Sequence, residues 1–253
     1  MIDTIIVGQG LAGSLLGYEL LKRGQSVKII ASKQKLCASR VAAGLIQTIS
    51  GRYLSLADST QPYINRSYQY FKMLEKELGQ SFIREVDCYR ILDQEQVIKW
   101  EKRKQIAPYK PFMSQSRVTL PEWFDSEGFA IQVYQNFTVE PDLLLNCLDD
   151  YFKKRGVVLT ETVDESLIHY NDNTIQYKEL SAKRLVFCAG YYMAQSRYFQ
   201  HIEFQNVKGE TLTFERPEVE FDVVIQKKQW VVPFQSGRYR VGATYDHSLT
   251  EGI

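Results

Sequence analysis

An apolar run that breaks into three spaced glycines opens this chain. Residues 2–13 read I-D-T-I-I-V-G-Q-G-L-A-G, with the glycines at Gly8, Gly10 and Gly13. A helical stretch follows from Leu11 to Arg23, stops at Gly24, and gives way to a second β run, Val27-Lys28-Ile29-Ile30. Each glycine has its own task. The first permits the tight turn out of the strand, and the second leaves bare backbone for a pyrophosphate to approach. The third lets the helix pack closely on the sheet, with its N-terminal N–H groups aimed at phosphate. A glycine pattern alone is weak, but here strand, turn, helix and second strand stand in register, which is the context the motif requires. The opening therefore predicts a βαβ unit that binds a dinucleotide.

Length and charge bound the rest. At 253 residues the chain can form one large domain or two intertwined ones. Its 31 Lys+Arg against 30 Asp+Glu leave a net charge of +1, so no global field recruits nucleic acid or an anionic membrane. Two basic clusters, Lys99 to Lys104 and Lys153 to Arg155, read as a solvated helix face and a solvated helix end. No apolar run reaches bilayer-spanning length, and the first strand begins at Ile2, where a signal peptide would lie. Cys37, Cys88, Cys147 and Cys188 lack C-x-x-C spacing and read as buried thiols of a reducing compartment, with the cytoplasm as expected address. His169, His201 and His247 are isolated, so no metal site is expected.

Along the chain, Ala31 to Gln61 shows no clear period and is rich in small residues around Ala38 to Gly44. Helices are predicted from Pro62 to Leu78, from Gln94 to Gln105 and from Pro141 to Gly156, an early-turn proline opening the last. Two short β runs, Phe82 to Val86 and Tyr89 to Leu92, precede the second of these helices. The stretch from Pro108 to Phe137, with Pro108, Pro111 and Pro121, reads as strands and loops. Four β runs follow the third helix, Val157 to Val163, Leu167 to Tyr170, Thr174 to Tyr177 and Arg184 to Cys188. The middle two turn at Asn171-Asp172-Asn173. Beyond Gln205 the chain is almost wholly β, with runs at 207–214, 223–226, 230–234 and 238–243. This order predicts two domains, each assembled from separated stretches.

Five places taken together resemble one family. They are I-I-V-G-Q-G-L-A-G at the start, S-R-V-A-A-G-L-I-Q from Ser39 to Gln47, and R-L-V-F-C-A-G-Y from Arg184 to Tyr191. The others are K-G-E-T-L from Lys208 to Leu212 and the run from Val231 to Tyr245. In this order and spacing the chain resembles the glycine oxidase/D-amino-acid oxidase (DAO) family of FAD-dependent oxidoreductases. The resemblance implies an α/β fold: a Rossmann-type FAD-binding domain with an interleaved α+β substrate domain built on an antiparallel sheet. Residues 1–78 and 139–200 are expected in the first, and residues 79–138 and 201–253 in the second. It implies that Gly8, Gln9, Gly10, Leu11, Ala12 and Gly13 hold the FAD pyrophosphate. Ser39, Arg40, Ala42, Ala43, Gly44 and Leu45 are to lie along the pyrophosphate, ribityl chain and flavin ring. Val163 falls on the adenine side, and Cys188, Ala189 and Gly190 close over the cofactor.

Two departures from the family pattern stand out. The acidic residue that accepts ribose hydrogen bonds at the end of the second strand is replaced by Ala31, with Ser32 beside it as a weaker acceptor and Lys33 next. Family members also run on past the point where this sequence stops, so the chain is expected to lack the part supplying a substrate-gripping arginine. The resemblance implies oxidation of a small amine or amino acid by hydride transfer to flavin. Arg238, Arg240, Trp230 and Tyr245 are the residues weighed for substrate contact; the arginines read as solvated and the aromatics as packing, and no catalytic residue is assigned. Three other readings stay open: a flavin-binding protein without turnover, a tRNA-modifying flavoenzyme of the same fold, and an NAD-binding dehydrogenase module. Near-neutral charge weighs against the second, and a small-residue segment with no role in a simple NAD site against the third.

Overall fold

The computed structural model describes residues 1–33, 37–120, 124, 128–171, 173–215, 221–234 and 237–247. Asp172 of the expected turn, Pro121, Gln235, Ser236 and the last residues from Ser248 to Ile253 lie outside that set. Contacts between residues divide the chain into two compact units. The first combines Met1–Ala42 with Pro141–Val207 and includes His247; the second combines Ala43–Glu140 with Lys208–Asp246.

The first unit is built on a six-stranded sheet in the order β6-β2-β1-β9-β8-β7. Its strands are β1 (Ile2–Val7), β2 (Val27–Ala31), β6 (Val158–Thr160), β7 (Ile168–Asn171), β8 (Thr174–Tyr177) and β9 (Leu180–Phe187). The first, second, sixth and ninth run parallel, and β7 and β8 form an antiparallel hairpin onto β9. Register fixes which ends meet. Val7 pairs with Ile30 and with Phe187, and Ala31 with Thr160, so the carboxyl ends of the four parallel strands share one edge. The sequence order reverses across β1, with β2 on one side and β9 on the other. Such switch points are where open α/β sheets take their ligands.

Two helices cover this sheet. In α1 (Leu11–Lys22), Gly17 sits so close to the strands that an added Cβ would lie 2.9 Å from Ile29 Cδ1. The other, α5 (Pro141–Lys153), buries Leu144, Leu145, Leu148 and Phe152. Tyr18 and Tyr151 bring the two helices together with ring centroids 4.9 Å apart.

The second unit carries a seven-stranded sheet in the order β10-β13-β12-β11-β4-β5-β3. These strands are β3 (Leu45–Ile46), β4 (Ile83–Leu92), β5 (Phe129–Val139), β10 (Thr211–Glu215), β11 (Val224–Gln226), β12 (Trp230–Pro233) and β13 (Arg238–Gly242). It is antiparallel apart from the parallel pair β4–β11. The two runs expected at 82–86 and 89–92 are one strand, interrupted by a register shift between Val86 and Cys88. Helix α4 (Gln94–Arg103) starts in a capping box, Asp93 accepting from the Gln96 N–H at 2.8 Å. It drops Trp100 into the core, where the indole N–H donates to the Ser114 carbonyl at 3.1 Å.

The contact division differs from the expected domain ends at 78 and 138, for a reason visible in the pairing. Leu45–Ile46 adds to the edge of β5, and α3 (Thr60–Leu78) packs on β4, so residues 43–78 go with the second sheet.

All four cysteines are free thiols. Cys88 is fully buried beneath the second sheet, and desolvation pushes its thiol up to about 12. A folded-state value above the unfolded one means the unfolded chain releases its proton first, so this contribution to stability is lost as pH rises past about 9. Cys88 is expected to resist alkylation at pH 8 until the chain unfolds. Labelling with iodoacetamide and peptide mapping checks this, and rapid modification of native protein would contradict it.

Candidate functional site

The glycine turn sits where β1 ends and α1 begins. Gly8 has φ +103°, in the region that favours glycine, and an added Cβ would lie 2.4 Å from the Cys188 carbonyl oxygen. Gly13 is held to its size by a closer approach, since its Cβ would meet the Gly8 carbonyl oxygen at 2.0 Å. These two glycines let α1 start hard against the ends of β1 and β9. Gly10 differs. It has ordinary extended backbone (φ −74°, ψ −168°), and the one neighbour a Cβ would meet within 4 Å is Ser39, whose Oγ would be 3.1 Å away. Beyond Ser39 the space in front of Gly10 is open.

Helix α1 has no side-chain cap and no acidic residue in its first turn. The Leu11 N–H donates to Ser39 Oγ at 3.0 Å, and the Ser14 N–H joins the helix ladder by reaching the Gly10 carbonyl at 2.9 Å. Between them, the N–H groups of Ala12 and Gly13 have no hydrogen-bond partner among the described residues. Leu11 and Ala12 are exposed, and Gly13 behind them is buried. Two free donors at the positive end of a twelve-residue helix, with no acidic residue in its first turn, make a ready anion site.

The other expected residues of the first unit gather along the same sheet edge. Ala31 ends β2 and is buried, while Ser32 and Lys33 beyond it are exposed. Val163 follows β6 and packs on the cluster formed by Ile5, Ile30, Ile168, Tyr177 and Ala182. Cys188 continues β9, its N–H donating to the Val7 carbonyl at 2.7 Å, and desolvation raises its thiol, so it stays protonated as a packing group. Ala189 caps a short 3₁₀ turn beginning at Gly190, which has φ +57°. Ser39, Arg40 and Ala42 belong to or end α2 (Ala38–Val41). Ala43, Gly44 and Leu45 fall in the second unit, where the Gly44 carbonyl accepts from the Val139 N–H at 2.8 Å and Leu45 pairs with Thr138.

Sequence reasoning missed the ties from α5. Gln9 Nε2 donates to Asp149 Oδ1 at 3.0 Å, and Arg40 Nη1 donates to Asn146 Oδ1 at 2.9 Å and to Asp142 Oδ1 at 3.3 Å. Asp142, Asn146 and Asp149 recur at helical spacing opposite the buried leucines, a signal present in the sequence as a polar stripe.

The substrate-side expectations need two corrections, at Arg240 and Tyr245. Arg240 does not face solvent: it is 7% exposed, its Nε donates to Thr213 Oγ1 at 3.0 Å, and its guanidinium lies over the Phe234 ring. Arg238 pairs with Glu140 at 3.0 Å. Trp230 packs against the core as expected, whereas Tyr245 is 73% exposed and packs on little.

Compared with known proteins, residues 3–252 match the FAD dependent oxidoreductase (DAO) family. The chain belongs to that family. Its fold is shared with glycine oxidase from Geobacillus kaustophilus, at 20% identity and a TM-score of 0.77, covering 99% of this chain and 73% of that one. Iminodiacetate oxidase from Chelativorans sp. BNC1 aligns at 18% identity and a TM-score of 0.72, covering 97% of this chain and 72% of that one. L-alpha-glycerophosphate oxidase from Mycoplasma pneumoniae, solved with FAD bound, gives 17% identity and a TM-score of 0.72, covering 96% and 71%. FAD is the family's cofactor, and the turn fits it: the approach to Gly10 is open, and two backbone donors wait there without partners. No helix among the described residues is long and apolar enough to cross a membrane.

The two kinds of glycine predict different outcomes. Gly13→Ala drives a methyl into the Gly8 carbonyl and is expected to destabilise the apo-protein by about 1–3 kcal/mol or more. Gly10→Ala is expected to leave apo-protein stability within about 1 kcal/mol of wild type. Denaturant unfolding measures both, and equal losses would contradict this division.

Proposed function

We propose that this chain holds the FAD diphosphate on the Ala12 and Gly13 N–H groups and oxidises the C–N bond of an amino acid or related amine. The observation that carries the reading is the pair of unsatisfied donors at an open glycine turn on a sheet switch point. When bound, FAD supplies the two-electron acceptor for a hydride from the amine-bearing carbon, leaving an imine that water hydrolyses.

The chain's own residues bind and orient. Gly8, Gln9, Gly10 and Leu11 shape the turn, and Ser39 adds a hydroxyl beside it. Arg40 and Ala42 belong to the segment flanking the diphosphate, and Ala43, Gly44 and Leu45 continue it toward the ribityl chain and ring. Val163 flanks the adenine, and Cys188, Ala189 and Gly190 close the other side of the turn. Ala31 is buried and offers no ribose acceptor, which leaves that role to Ser32. In this reading the first unit is the cofactor domain and the sheet of the second unit is the substrate side. The amine class is supported by the names of several proteins of like fold: glycine oxidase, iminodiacetate oxidase and L-proline dehydrogenase. The glycerophosphate oxidase among them supports a second reading, oxidation of a carbon bearing a hydroxyl.

Anaerobic titration separates the two. Purified protein loaded with FAD is expected to bleach near 450 nm on adding glycine or another small amino acid, and not on adding glycerol 3-phosphate. Bleaching by glycerol 3-phosphate alone would select the second reading, and no bleaching by either would leave a flavin binder without turnover. Gly10→Val, which fills the approach to the turn, is expected to abolish FAD binding.

A further inference from the structure

Arg40 looks like the cation a diphosphate would seek, yet its guanidinium is engaged elsewhere. Its Nη1 donates to Asn146 at 2.9 Å and to the Asp142 carboxylate at 3.3 Å, and its side chain is only 20% exposed. A paired, largely covered guanidinium offers a phosphate little net charge. Its neighbour Ser39 meanwhile accepts the Leu11 N–H at 3.0 Å. A hydroxyl that accepts from the helix keeps its own proton to donate.

Both residues ride on α2, a helix of four residues. One turn of helix has no stability of its own in water, so α2 lies where its docking puts it. That docking is on α5, and the same face of α5 also takes Gln9 from the glycine turn through Asp149. Asp142, Asn146 and Asp149 thus brace both sides of the anion site from one helix.

We propose that Arg40 is a positioning residue and not a phosphate ligand: anchored on Asp142 and Asn146, it holds Ser39 against the first N–H of α1 and so sets the affinity of the turn for a diphosphate. The proposal rests on the FAD reading above. It also reverses the sign of a simple experiment. Were Arg40 to touch phosphate, removing the Asp142 charge would free a cation and tighten binding. If Arg40 acts through Ser39, the same change loosens its anchor and weakens binding.

The test is calorimetric titration of apo-protein with FAD and, separately, with ADP, which carries the diphosphate without the flavin. Wild type, Asp142→Asn, Asn146→Ala and Arg40→Lys are compared, with the thermal midpoint of each apo-protein measured alongside. All three variants are expected to raise Kd for both ligands about tenfold, the scale of one charge-assisted hydrogen bond, while the apo midpoint stays near wild type. Arg40→Lys serves as the conservative check, because it keeps the charge but its shorter side chain ends short of the Nη1 that reaches both acceptors. An Asp142→Asn protein that binds FAD as tightly as wild type, or more tightly, overturns the proposal. So does a drop in apo midpoint with unchanged Kd, which would mark a purely structural tie. Wild-type protein that binds neither FAD nor ADP would instead overturn the underlying FAD reading.

Discussion

Two backbone donors left without partners govern the first unit. The Ala12 and Gly13 N–H groups stay free because α1 begins abruptly, with no side-chain cap and no carboxylate in its first turn. That abrupt start depends on the absence of side chains at Gly8 and Gly13, where an added Cβ would lie 2.4 Å and 2.0 Å from carbonyl oxygens. An unpaired amide sheltered from water is costly; water can serve the exposed Ala12 until an anion takes its place, whereas the buried Gly13 donor gains most when one does. Binding capacity here is thus a consequence of packing: the glycines that let helix and strands meet closely also leave the helix end without a cap.

The parallel strands bring the remaining pieces to that edge by register alone. Ala31, Thr160 and Phe187 end their strands level with Val7, so the loops beyond them emerge side by side. Helix α5 then fixes what register cannot. It lies in sequence more than a hundred residues from the glycine turn, yet its polar face ties down Gln9 and Arg40 while its apolar face anchors it to the core.

Much of this was legible in the sequence. The glycine turn combines an apolar strand run, a following helix and stereochemical punctuation, so three signals agree. Helices α3, α4 and α5 announce themselves by apolar spacing, and Asp93 and Gln96 mark the start of α4. What stayed hidden lacked a period. Leu45–Ile46 is a strand of two residues, defined only by its partner Thr138–Phe137. The β4 strand read as two pieces because the exposed Asp87 interrupts its apolar run, although its alternation continues there and the extra residue of the register shift lies on β5, where Asn136 to Val133 answers Val86 to Cys88. Arg240 misled for another reason. The R-Y-R-V pattern suggests a wet face, but β13 is an interior strand flanked by β10 and β12, and a buried arginine is stable where an acceptor and a ring receive it. Within the site, the glycines were readable and their braces on α5 were not, because a contact between distant helix and turn leaves no mark in local sequence.

Hydrogen exchange at single amides tests the heart of this most directly. The apo-protein is expected to exchange the exposed Ala12 N–H rapidly, and saturating FAD to slow Ala12 and Gly13 by an order of magnitude or more while the exchange of distant core amides changes little. Unaltered exchange at Ala12 and Gly13 in a protein that demonstrably holds FAD would place the diphosphate elsewhere and contradict the site described.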